Sequence, residues 1–96
     1  MTTHSHFRIS DGKGFQMLFA NGWTISVQFG KMNYCQNRHS TESNVKLGEK
    51  GSNTAEVLIW NNLGNVVDYP LSSASWAYAD EVAKIITWTV AQMEAL

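Results

Sequence analysis

Two apolar stretches flank an Asn-Gly pair near the start of the chain, Phe15-Gln-Met-Leu-Phe-Ala20 and Trp23-Thr-Ile-Ser-Val-Gln-Phe29. The second alternates large apolar with small polar residues, the period-two pattern of a half-buried strand, and Asn21-Gly22 supplies the left-handed backbone of a tight turn. A two-residue loop would pair Ala20 with Trp23 and mix apolar and polar residues on both faces. A three-residue loop, Ala20-Asn21-Gly22, closed as a type I turn with Gly22 as a G1 bulge, instead pairs Phe19 with Trp23, Met17 with Ile25 and Phe15 with Val27. Because a one-residue slip turns a whole strand over, the register that gathers the large apolar residues on one face is the expected one. Ile25 and Val27 then point inward and Ser26 outward, so that Ser26→Ala is expected to be nearly silent.

The same pattern organises the rest of the chain. His6-Phe-Arg-Ile-Ser10 alternates with Phe7 and Ile9 inward, and Asp11-Gly-Lys-Gly14 carries turn residues into the hairpin. Ala55-Glu-Val-Leu-Ile-Trp60 reads as a strand, and Asn61-Asn-Leu-Gly64 turns it toward Asn65-Val-Val-Asp-Tyr69, closed by Pro70. From Ala79 the period changes: Val82, Ile85, Ile86, Thr89, Val90 and Met93 recur at helical spacing, behind Asp80 and Glu81, which suit the positive end of a helix. The expectation is an α+β domain: a five-stranded antiparallel sheet of segments 6–10, 14–20, 23–30, 55–60 and 65–69, with one C-terminal helix from about Ala79 to Met93 on one face. Residues 31–54 form a long loop rich in Asn, Ser, Gly and Lys, and loops of such length in compact domains tend to carry function.

Length and charge narrow the classes. Ninety-six residues suit one domain, 1–96, able to fold without staples. A net charge of −1 with 16% charged residues argues against a strongly basic nucleic-acid binder and against an acidic DNA mimic. Residues 31–54 are mildly basic, with Lys31, Arg38, Lys46 and Lys50 against Glu42 and Glu49. A single cysteine, Cys35, excludes an internal disulfide and suits a reducing compartment, so a cytoplasmic setting is expected. No signal sequence or membrane-length apolar run is visible.

Candidate chemistry is sparse. Cys35 and His39, with His4 and His6, make a conceivable Cys-His₃ zinc set, and Cys35 with His39 a conceivable nucleophile and base. The paired spacing of zinc folds is missing, and a flexible loop is a poor platform for catalysis, so Cys35 is expected to be a small apolar residue packed at the sheet edge. Gly12-Lys-Gly14 and Gly48-Glu-Lys-Gly-Ser52 lack the spacing of phosphate loops and read as turns. No metal, cofactor or catalytic residue is therefore assigned. The surplus lies in the aromatics. Trp23 and Trp60 belong to strands, whereas Trp76 and Trp88 are less forced inward, and Trp88 is the candidate for a subunit interface. Tyr34, Arg38, Lys31, Asn33, Trp76 and Trp88 are the candidate binding residues, since aromatic and Arg anchors dominate interfaces.

Trp23-Thr-Ile-Ser-Val-Gln-Phe-Gly30, followed by Asn33-Tyr-Cys35, Ala55-Glu-Val-Leu-Ile-Trp60 and Asp80-Glu-Val-Ala-Lys-Ile-Ile86, resembles small uncharacterised proteins encoded by bacteriophages and prophages. The resemblance implies a context in which small accessory proteins bind and disable a host factor, here from within the host cytoplasm. Three readings follow. One is a non-enzymatic binding protein that inhibits a host or defence protein. A second is a protein that sequesters a nucleotide-like small molecule, using Arg8, Lys31, Arg38 and the hairpin aromatics. A third is a small Cys/His metal-binding protein or enzyme. Homo-oligomerisation, most simply as a two-fold dimer, is expected of the surplus aromatics.

Overall fold

The turn at Asn21-Gly22 has the geometry that segregates the faces. In the computed structural model, which describes residues 4–10, 13–30, 33–36 and 52–96, Gly22 N–H donates to Phe19 O at 2.9 Å and Phe19 N–H to Trp23 O at 2.9 Å. Gly22 has φ +83°, and a Cβ there would stand 2.7 Å from Asn62 Cβ, so both conformation and space call for glycine. The turn joins β2 (Gly14–Leu18) to β3 (Thr24–Gln28), with Met17 opposite Ile25 and Phe15 opposite Val27. β1 (His6–Ser10) pairs with β2, and β4 (Thr54–Trp60) pairs with the other side of β3. With β5 (Ala77–Tyr78) they make a five-stranded antiparallel sheet in the order β1-β2-β3-β4-β5.

α1 (Ala79–Val90) starts directly from β5. Asp80 and Glu81 occupy its first turn, and Glu81 Oε1 accepts from the Tyr78 N–H at 3.0 Å, satisfying one orphan donor at the helix entrance. The helix lays Val82, Ile85 and Thr89 on β3, β4 and β5. Phe19, Trp23, Ile25, Val27, Ala55, Val57, Ile59 and Ala77 complete the core from the sheet. Among the described residues no helix is long and apolar enough to cross a membrane.

Four details differ from the pattern reading. The fifth strand is not 65–69. A hairpin does begin there, with Trp60 bridged to Val66 and Val67 N–H donating to Ile59 O at 2.9 Å. A continued ladder would next give the Val57 N–H to Tyr69, but it goes to Ala74 O at 2.7 Å. The chain leaves at Pro70, which has no N–H to offer, and returns to β4 as Ala77–Tyr78. The helix also ends at Val90 instead of continuing to Met93. Asn21 Nδ2 donates to Thr89 O at 3.1 Å and Gln92 O at 2.9 Å, and Trp23 Nε1–H to Met93 O at 3.0 Å, so the hairpin turn draws off the carbonyls at the helix exit.

Ser26 does not face solvent. It is 2% exposed and accepts a hydrogen bond from Gln28 Nε2 at 2.9 Å, because a central strand is crowded by its neighbours on both faces. Phe7 and Ile9, expected inward, are 71% and 88% exposed. They share the face of Met17 and Phe15, their ladder partners, which is the face α1 packs on, but α1 lies over β3, β4 and β5 and does not reach β1.

Candidate binding surface

After β3 the chain folds back over the sheet in a turn built around Asn33. Asn33 Oδ1 accepts from the Gly30 N–H at 3.0 Å, and Nδ2 reaches Gln28 Oε1 and Glu56 Oε1, each at 3.3 Å. Gln28 and Glu56 are cross-strand partners on the face away from α1, so Asn33 ties the turn to that face. Its polar atoms are engaged within the fold, and its role here is to position its neighbours.

Cys35 follows, fully buried, with its Sγ–H 3.5 Å from Gly30 O. A buried thiol packs as a small apolar group, the commonest place for a lone cysteine. Beyond it, Gln36 N–H donates to Thr54 Oγ1 at 2.9 Å and Asn53 N–H to Gln36 Oε1 at 2.8 Å, joining the segment after β3 to the start of β4. Lys31, Arg38 and His39 lie outside the described residues. His4 and His6 are exposed at the start of β1, with His6 Nδ1 2.9 Å from His4 O. Among the described residues no group of three or more His, Cys, Asp and Glu side chains is arranged to hold a metal ion.

Tyr34 and Trp76 meet at this turn. Trp76 N–H donates to Tyr34 O at 2.9 Å, joining the segment before β5 to the one after β3. Tyr34 is 46% and Trp76 48% exposed, so two large aromatic residues emerge from one corner, one hydrogen bond apart along the backbone. Trp76 has φ +56°, the one non-glycine residue with positive φ among those described. That left-handed conformation costs a bulky L-residue about 1–2 kcal/mol. The next residue, Ala77, is buried in the core and enters the ladder opposite Ala55, so the reversal at Trp76 sends Ala77 in while its own ring stays half outside.

Trp88 sits elsewhere. Its ring meets Trp23 at 6.0 Å and 82° and Tyr69 at 5.5 Å and 81°, both edge to face, and it is half-buried against the core. The hairpin aromatics Phe19 and Trp23 are buried beneath the helix and are not available to stack on a ligand. A polar concavity of about 360 Å³ lies between β4 and the 66–75 segment, where Asp68, Ser72, Ser73 and Ser75 line it and no basic residue does.

The exposed pair at positions 34 and 76 was partly legible, since both residues are aromatics outside the strong strand patterns. Their junction and the strained backbone were not, because neither leaves a local signal. No protein-family model, curated protein or solved structure matches this chain.

Proposed function

We propose that the protein is a non-enzymatic binding protein, similar to phage accessory proteins, that inhibits a host or defence protein by docking it on the Tyr34–Trp76 corner. Lys31 and Arg38, three and four residues from Tyr34 in the sequence, bring positive charge to the same stretch of chain. The observation that carries this reading is Trp76: a tryptophan kept half in solvent on a left-handed backbone. Strain of this kind persists where the surrounding structure holds it, and it concentrates at functional positions. A half-exposed aromatic pair is the form that protein-interface hot spots take.

The test compares wild-type and Trp76→Ala protein as immobilised baits in host lysate, with native mass spectrometry of what each retains. A protein species held stoichiometrically by the wild type and lost from Trp76→Ala is the expected result. Retention of a nucleotide-like small molecule without any protein would overturn the reading in favour of sequestration. Turnover of a substrate dependent on Cys35 would overturn it in favour of chemistry.

A further inference from the structure

The helix leaves the β1 end of its own sheet face uncovered. β1 and β2 present Phe7, Ile9, Phe15 and Met17 on the same side as α1, but α1 packs over β3, β4 and β5. Phe7 and Ile9 are largely exposed, and Val90 at the helix exit is half-exposed beside them. Between sheet and helix exit lies a concavity of about 340 Å³ lined by Phe7, Met17, Phe19 and Val90. These residues form a contiguous apolar shelf with a helix along one side, which differs from the singly scattered apolar residues of an ordinary surface.

We propose that this shelf is a self-association surface, covered by the same shelf of a second copy around a two-fold axis. The step from shelf to helix is one packing layer, about 10 Å, and two sheets facing each other also stack at about 10 Å. Each copy's β1–β2 hairpin therefore fits over the other's, with each helix alongside the partner's β1. A surface that is a step complements itself under a two-fold rotation, which is the requirement for an isologous dimer. Charge does not oppose this at pH 7, since the net charge is −1 with histidines neutral, and the concavity is lined by no acid, lysine or arginine, His6 being its titratable side chain. At ~150–250 Å² for a whole large side chain, the exposed parts amount to roughly 400–500 Å² per copy, against ~800 Å² per partner in a standard interface. The dimer is thus a weak one, exchanging with monomer at micromolar concentrations. It does not depend on the aromatic corner, which lies where the segment after β3 meets the one before β5.

Sedimentation velocity of the full chain from about 1 to 100 μM reads this directly, a range that spans weak interfaces. A dimer that grows with concentration is expected. Ile9→Lys should weaken it by roughly 30-fold or more, because a buried ammonium without a partner is costly. It should also leave the thermal melt nearly unchanged, because Ile9 adds little to the monomer core. Phe7→Ser is the second variant, with the same expected loss. Leu71→Lys, at an exposed residue beside Trp88, is the control and should leave the dimer intact. A monomeric wild type at about 100 μM would overturn the proposal. So would a dimer that survives Ile9→Lys, as strand-edge pairing through main-chain bonds alone would do, or one dissociated by Leu71→Lys.

Discussion

A bulky residue in the left-handed region is a cost that glycine would remove, which makes position 76 a place where stability and binding can be separated. Trp76→Gly should melt within about 1 kcal/mol of the parent, since the relief of strain offsets the lost contacts of a half-exposed ring. It should nonetheless lose partner binding as fully as Trp76→Ala, measured by pull-down or calorimetry. Tyr34→Ala and Arg38→Ala should weaken binding, whereas Cys35→Ser should cost about 1–2 kcal/mol of stability and leave binding in place. In the central strand, Ile25→Ala should destabilise by roughly 2–4 kcal/mol through its cavity. Ser26→Ala should cost about 1 kcal/mol, because Ser26 is buried and bonded to Gln28 instead of facing water. Denaturant melts of both variants check this ordering, and a silent Ser26→Ala would count against the buried hydrogen bond.

Among elements, the helix and the first hairpin depend on each other more than either pattern indicates. Asn21 serves twice: its Oδ1 accepts from the Trp23 N–H at 2.9 Å within the turn, and its Nδ2 bonds the helix-end carbonyls. Asn21→Ala should therefore cost about 1–2 kcal/mol and speed amide exchange both in the last helical turn and in the hairpin. Asn21→Asp keeps the acceptor, but it places a negative charge at the negative end of α1, so it should be no milder. The exposure of Phe7 and Ile9 follows from widths. One helix is about 10 Å across, while five strands at ~4.8 Å span about twice that, so a single helix covers only part of the sheet.

At the level of the whole molecule, Trp88 joins the helix to the first hairpin through Trp23 and to the 61–76 excursion through Tyr69, and that is where its effect should appear. Trp88→Ala should destabilise by about 3–5 kcal/mol, as large-to-small changes of packed aromatics do. Trp88→Phe, which keeps a ring, should leave the sedimentation profile of the wild type unchanged while lowering the melting temperature. A dissociated dimer with an unshifted melt would return the subunit interface to Trp88. The sequence by itself determined what is local and periodic. The bulged hairpin and its register follow from Asn21-Gly22 between alternating strands, the helix start from Asp80-Glu81 and a 3.6-residue period, and the α+β class from the succession of the two patterns. Its periodicity marks which side of a strand is apolar, but it carries no measure of how far a cover extends. Only the tertiary structure decided that β4 takes its last neighbour from Ala77–Tyr78, that Ser26 is buried while Phe7 and Ile9 are bare, and that Tyr34 and Trp76 share a corner. Each of these depends on where one distant segment meets another, and competition for a strand edge or a helix end is settled by packing, which leaves no mark on the neighbouring residues in the chain.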